Sequence, residues 1–172
     1  MHEDRLHPLL RWTTYAGQRP LRFGAAAVAA IMILKLLFLA VLSLFAPIED
    51  DALSGGVILQ QGVFRVIAGF AFLPAETYLG QQLPIALLRR FGVSRAVTLI
   101  GVSAGVFGAL HLFAGAAGFV TGASAGLVLS YAFLCWKPVS PEAAFWRTTA
   151  VHAAHNWLAY CAALLVPMGA PR

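Results

Sequence analysis

The side chains best able to do chemistry in this sequence lie inside long apolar stretches. Glu76 is the only one of seven acidic residues in such a stretch, and three of five histidines, His111, His152 and His155, lie in two later ones. A charged side chain at the centre of a membrane helix costs roughly 2.5–3.5 kcal/mol on insertion scales, so such residues usually mark function. A lone histidine or glutamic acid can simply tie helices together. One shared cavity accounts for the whole set, and we expect these residues to line it.

The spacing of the polar residues places them on defined helix faces. Phe107 and His111 are four residues apart, as are His152 and Asn156, so the members of each pair lie about one turn apart on one face. His155 follows His152 by three residues and can lean towards the same face. The neighbouring positions are glycine and alanine, which allow helices to approach closely.

These groups together suit the attack of water on an amide. A carboxylate in a low-dielectric cavity becomes a stronger base, and an adjacent imidazole can share its proton and hold a water molecule. An asparagine and a second histidine can donate hydrogen bonds to a developing oxyanion, which is often worth about 10²–10³ in rate per donor. The residues therefore predict peptide-bond hydrolysis within the membrane.

The composition excludes several classes of protein. The chain has 172 residues, 60% hydrophobic and 11% charged, with a mean hydropathy of +0.78. A soluble domain has roughly 45–50% apolar and about 25% charged residues, so a water-soluble globule, a disordered tail and a nucleic-acid-binding module are excluded. The net charge of +5 comes from basic residues that flank apolar stretches. The two cysteines lack CxxC spacing and indicate neither a disulfide framework nor a zinc knuckle.

The predicted fold is an all-α, polytopic membrane protein with about five transmembrane helices and its active site in the core of the bundle. Because a transmembrane helix needs about 20 apolar residues, the spans are expected at 23–46, 57–88, 96–113, 118–136 and 144–167. A polar cytoplasmic arm at 1–21 precedes the single membrane domain of 22–167, and a short tail follows at 168–172. The second span is long enough to be tilted, or kinked at Pro74 or Pro84.

Basic residues predict the orientation of the chain in the membrane. Arginine and lysine are concentrated in the amino-terminal arm, in the turn between the second and third spans, and around the loop between the fourth and fifth. The positive-inside rule then puts the amino terminus in the cytoplasm and the carboxyl terminus outside. The acidic segment Glu49 to Asp51 falls on the outer side. Lys35 and Arg65 have side chains long enough to reach a membrane boundary.

The depth of the histidines in the membrane predicts where the last helix begins. His111 and His152 can lie at the same depth only if Arg147 is within the last helix, so we expect that helix to begin near Glu142.

These residues also resemble the motifs of a known family. Phe107 to His111 matches Phe-x-x-x-His, and His152 to Asn156 matches His-x-x-x-Asn. In order and on separate spans, they resemble the CPBP family, which includes type II CAAX prenyl endopeptidases, their bacterial relatives and bacteriocin-immunity members. The resemblance covers about 71–158. The family's first motif, Glu-Glu-x-x-x-Arg, is present only at Glu76, because Thr77 stands at the second Glu and Gln81 at the Arg.

The resemblance implies a glutamic-type intramembrane endopeptidase without a cofactor, in a bacterial cell membrane. Glu76 and His111 would activate water, and His152 and Asn156 would stabilise the oxyanion. Phe107, Thr77, Gln81 and His155 would support them. The implied substrate is a membrane-associated protein or peptide, with carboxy-terminal tail or sorting-signal processing as one form of the reaction. No nucleic-acid partner is expected.

Three other interpretations stay open. Glu76, His111 and His152, or His155 in place of His152, could bind zinc, although no His-Glu-x-x-His motif is present. Ser103 or Ser124, each in a Gly-x-Ser-x-Gly string, could serve a rhomboid-like Ser–His protease. The altered first motif also suits a non-catalytic immunity factor, pseudoprotease or scaffold that binds a transmembrane partner.

Overall fold

A computed structural model describes residues 8–44 and 62–165, and every regular element in these two segments is helical. The predicted all-α class is therefore confirmed. In chain order the elements are α1 (Pro8–Gln18), α2 (Pro20–Ser43), α3 (Gly62–Thr77), a π-helical segment (Tyr78–Gln82), α4 (Leu83–Arg90), α5 (Ala96–Ala109), a 3₁₀ turn (Leu112–Ala114), α6 (Gly115–Trp136) and α7 (Pro141–Leu165).

Two stretches in the described part of the chain are long and apolar enough to cross a membrane. They are Pro20–Ser43, which is α2, and Leu112–Trp136, which comprises the 3₁₀ turn and α6. Helix α5 is apolar but shorter, with 14 residues.

Helix α6 lies at the centre of the bundle and packs against α1, α2, α5 and α7. Its closest neighbour is α5, and glycine makes that approach possible. A Cβ atom at Gly126 would lie 2.9 Å from both the Ala104 Cα and the Phe107 Cβ. The small residues of α6 therefore set the distance at which α5 presents Phe107 to the interior.

The segment expected as a polar arm contains a helix that packs on the bundle. The Trp136 Nε1–H group donates a hydrogen bond of 3.1 Å to the carbonyl of Ala16, which is buried. Phe23 packs edge-on against the Trp136 ring, with 5.0 Å between the centroids. These contacts connect α1 and the start of α2 to the end of α6.

The second predicted span is interrupted between its two prolines. Helix α3 continues through Pro74, and the π-helical segment begins four residues later at Tyr78. Pro84 has no N–H group to donate to the carbonyl of Gly80. The Ser103 hydroxyl on α5 donates to that carbonyl, and the Ser130 hydroxyl on α6 donates to the Ser103 hydroxyl over 2.8 Å. The hydroxyl groups of Ser103 and Ser130 thus connect the π-helical segment to α5 and α6.

Several predicted boundaries differ from those of the structure. Helix α5 ends at Ala109, so His111 lies in the turn that follows and not within the third span. Helix α7 begins at Pro141 and includes Arg147, as expected from the depth argument. The segment 45–61, with the acidic residues Glu49 to Asp51, and the tail beyond 165 lie outside the described residues.

Candidate functional site

The structure brings Glu76 and His152 together from different helices. Near the end of α3, the Glu76 Oε2 atom lies 3.5 Å from the Nε2 atom of His152 on α7. The histidine is 1% exposed, whereas the glutamate side chain is 34% exposed. The pair therefore joins a buried imidazole to a carboxylate that solvent or a ligand can reach.

Phe107 stands between the two candidate catalytic histidines. Its ring centroid is 4.8 Å from that of His111 and 5.2 Å from that of His152, the second in an edge-on arrangement. Gly80 on the π-helical segment and Gly126 on α6 allow this side chain to pack closely, because a Cβ atom at Gly80 would collide with the ring and one at Gly126 would collide with the Phe107 Cβ atom. Both imidazoles thus pack against the same buried aromatic side chain.

The hydrogen bond of His111 defines which of its nitrogens is available. The Nδ1 atom lies 2.8 Å from the carbonyl oxygen of Phe107. A carbonyl can only accept, so Nδ1 carries the proton and, in the neutral ring, Nε2 holds the lone pair. The ring also rests on α6, since a Cβ atom at Gly122 would lie 3.0 Å from three of its atoms. His111 is half-buried and lies within electrostatic range of Glu76.

The remaining predicted residues of α7 occupy two different environments. His155 is buried and its ring lies parallel to that of His152, with 6.3 Å between the centroids. Asn156 is half-buried one turn after His152, and the hydrogen bonds of the described residues do not join it to Glu76 or His111. His155 is therefore enclosed in the interior, whereas Asn156 is only partly buried.

The two residues that depart from the family motif are both fully buried. The hydroxyl of Thr77 and both amide atoms of Gln81 have no hydrogen-bond partner within the described residues. The same is true of the Thr148 hydroxyl, one turn before His152, and of the His152 Nδ1 atom. Buried polar groups in proteins are generally hydrogen-bonded, so these atoms are the ones able to bind water or a ligand in the interior.

Lys35 has a different environment from the one predicted. It follows Phe23, Ala27 and Ile31 at four-residue intervals, and these three form the buried stripe of α2. Its ammonium group lies within electrostatic range of His152 and His155. Sequence reasoning interpreted Lys35 as a residue reaching the membrane boundary. The four-residue repeat of the stripe was the signal that could have placed it near the site. The side chain of Arg65 lies outside the described residues.

The geometry also bears on the two other hydrolytic interpretations. Among the described residues, no three histidine, cysteine, aspartate or glutamate side chains form a group that could hold a metal ion. The Ser103 hydroxyl is engaged with Gly80 and Ser130, and the Ser124 hydroxyl donates to the carbonyl of Thr121 over 2.8 Å. Ser103 connects helices and the Ser124 hydroxyl bonds within its own helix α6, which favours a structural role for each.

Comparison with known proteins found no match: no protein-family model, no curated protein and no solved structure is similar to this chain. The residues of the site and their geometry therefore carry the functional argument.

Proposed function

We propose that this chain is a polytopic intramembrane endopeptidase that hydrolyses a peptide bond of a membrane-associated protein or peptide. The observation that carries the proposal is the approach of Glu76 to His152, with Phe107 in contact with the rings of both His152 and His111. A carboxylate and two imidazoles in one polar interior suit the activation of water and the stabilisation of an oxyanion.

The distribution of side chains supports embedding of the whole bundle. Large apolar residues face outwards on both long helices and on shorter ones, with Leu36 65%, Phe72 64% and Val97 82% exposed. The interior contains Thr77, Gln81 and the buried histidines. An exterior with so many large apolar side chains is unfavourable in water and favourable in lipid. We therefore infer five spans, with α3, the π-helical segment and α4 together forming the second.

The basic segments meet at one end of the bundle. The Trp136–Ala16 hydrogen bond brings the end of α6 to α1, just before Arg19. Beside Trp136 on α6, Lys137 lies near Arg89 of α4; burial and that guanidinium lower the pKa of Lys137. A single basic end supports a cytoplasmic amino terminus under the positive-inside rule.

The proposed reaction uses four residues. Glu76, with the Nε2 atom of His111, accepts a proton from water as the water oxygen bonds to the carbonyl carbon of the substrate. His152 and Asn156 donate hydrogen bonds to the resulting oxyanion. The carbon–nitrogen bond then breaks, the leaving nitrogen takes the proton, and a carboxylate and an amine are the products. A neutral imidazole has a single N–H group, so in this scheme His152 donates to the oxyanion from Nε2, the atom that lies 3.5 Å from Glu76.

The decisive variant is Glu76→Gln, which keeps the size of the side chain and removes its basicity. Membrane proteins of a deletion strain are compared with those of strains that produce the wild type, Glu76→Gln or the control Ser124→Ala. A substrate cleaved by this protein accumulates uncut in the deletion strain and with Glu76→Gln, but not with the wild type or Ser124→Ala. We expect a loss of cleavage of about 10²-fold or more, the usual range for a general base.

Three outcomes would overturn this proposal. Cleavage that survives Glu76→Gln contradicts the mechanism. A partner captured equally well by the wild type and by Glu76→Gln, with no product detected, would favour the non-catalytic role that the residues Thr77 and Gln81 suggest. Stoichiometric zinc in the purified protein, with activity lost on chelation and restored by zinc, would show that the reaction depends on the metal.

A further inference from the structure

A groove runs between α2 and α7 on the outside of the bundle. It has a volume of about 350 Å³ and apolar walls that include Gly24, Val28, Ala150, Val151 and Ala154. Ala150 and Ala154 are exposed, so the groove opens laterally. The small residues create it by leaving space between two helices that are otherwise in contact.

An unpaired guanidinium lies at one end of this groove. Arg147 lines it one helical turn before Ala150 and Val151, and its buried Nη1 atom has no hydrogen-bond partner within the described residues. The ion pairs found in this part of the chain do not include Arg147. A buried guanidinium donor is costly unless an acceptor, preferably an anion, binds it.

A second recess adjoins the same end of the groove. It is lined by residues 18–22, including Arg19 and Arg22, and shares Pro20 and Leu21 with the groove. The described acidic residues are Glu76, which is at the candidate site, and Glu142. Arg147 thus lines the apolar groove and Arg19 and Arg22 line the adjoining recess, and the ion pairs found in the described residues include none of the three.

The volume of the groove indicates what kind of molecule it can hold. At about 30 Å³ per water-sized group, 350 Å³ holds about a dozen methylene-sized groups. A helix has a diameter of about 10–12 Å with its side chains and would not fit between α2 and α7. One acyl chain fits, and an anionic headgroup on that chain meets the arginines.

We propose that the α2–α7 groove binds an anionic phospholipid, with one acyl chain along the apolar walls and its phosphate on Arg147, Arg19 and Arg22. The site is separate from the candidate catalytic residues, because the residues of α7 that line the groove are Arg147, Ala150, Val151 and Ala154, and His152 and Asn156 are not among them. This inference rests on the membrane embedding in the proposed function and not on its chemistry.

The test uses the full-length protein purified in a detergent that permits native mass spectrometry, with phosphatidylglycerol or phosphatidylcholine of the same acyl chains added. We expect one phosphatidylglycerol molecule to remain bound in preference to phosphatidylcholine. Arg147→Gln should weaken its retention by roughly tenfold, the effect of one charge-assisted hydrogen bond. The control Arg90→Gln removes the same charge from an exposed residue outside the groove and should retain the lipid.

A second variant tests the contribution of the acyl chain to binding separately from that of the headgroup. Ala154→Leu fills the groove from an exposed position, so it should fold normally and lose the lipid while all the arginines remain. Equal retention of the two lipids, equal effects of Arg147→Gln and Arg90→Gln, or full retention by Ala154→Leu would overturn the proposal. So would an Arg147-dependent dimer that forms in place of the lipid complex. Glu76→Gln should retain the lipid whether or not it abolishes cleavage, so failure of the lipid site and failure of the proposed protease are distinguishable.

Discussion

At the scale of single residues, each candidate histidine has a distinct environment. His152 is buried against Glu76, and His155 is buried beside His152. His111 is half-buried and its Nδ1–H group donates to its own helix end. The sequence presents these residues as similar polar positions in apolar stretches. In the structure, His111 is half-buried with the lone pair on Nε2, whereas His152 and His155 are buried.

The Nε2 atom of His111 can be tested separately from the rest of the side chain. His111→Asn keeps an N–H donor near the position of Nδ1, which can still bond to the Phe107 carbonyl, and removes Nε2. We expect cleavage to fall by about 10²–10⁴-fold, the contribution of a general base or acid. The thermal unfolding midpoint should change little, and cleavage assays with unfolding curves measure both. Wild-type cleavage by His111→Asn would contradict a role for Nε2.

At the scale of elements, the π-helical segment is the feature that organises the site. It follows Glu76 directly, and it carries Gly80 against Phe107 and Gln81 into the interior. π-Helical turns within α-helices are rare and frequently lie at functional sites. Two prolines predicted an irregularity in this span. They did not predict its position, because the connection through Ser103 and Ser130 comes from other helices.

Gly80→Ala tests the contact between this segment and the aromatic ring. The added methyl group would overlap the Phe107 ring, and the close approach of Gly126 to the Phe107 Cβ atom limits how far that side chain can shift. A shift of Phe107 displaces both imidazoles, and a displacement of about 1 Å can cost about 10²-fold in rate. The control is Gly105→Ala on α5, where the same methyl group meets open space. Cleavage at wild-type rate by Gly80→Ala would show that Phe107 does not position the histidines.

Ser103→Ala tests the hydrogen-bonded connection between α5, α6 and the π-helical segment. The change removes the donor to the Gly80 carbonyl and the acceptor for the Ser130 hydroxyl. We expect the free energy of unfolding to fall by about 0.5–2 kcal/mol, measured by denaturation in detergent. Thr121→Ala is the matched control, since that hydroxyl donates only to carbonyls of its own helix. An equal effect of both substitutions would argue against the interhelical connection.

At the scale of the whole molecule, large apolar side chains cover much of the exterior. Buried serine, threonine, glutamine and histidine side chains lie inside an exterior of exposed leucine, phenylalanine and valine. The two candidate spans alone do not account for this exterior, because α3, α5 and α7 also expose large apolar side chains. The arrangement supports five spans with the basic turns at one end.

Thiol labelling tests this topology. Single cysteines are introduced at Arg90, Val139 and Ala116 in a chain that lacks Cys135 and Cys161, and a membrane-impermeant reagent is applied to whole cells. All three positions are exposed in the structure. We expect labelling of Ala116→Cys only, because the turns that contain Arg90 and Val139 are basic and therefore cytoplasmic. Permeabilised cells, in which all three should react, provide the control. Labelling of Arg90→Cys and Ala116→Cys from the same side would contradict five spans.

The sequence by itself determined the helical class and the short list of polar residues able to do chemistry. It could do so because apolar composition and rare intramembrane ionisable groups are properties of the chain alone. Only the tertiary structure decided that Glu76 meets His152, that Lys35 lies within electrostatic range of the imidazoles, and that Arg147 lines a groove between α2 and α7. These relations depend on how closely α2, α5, α6 and α7 approach one another. That approach is set by glycine and alanine contacts between helices, which the periodicity of any single helix does not specify.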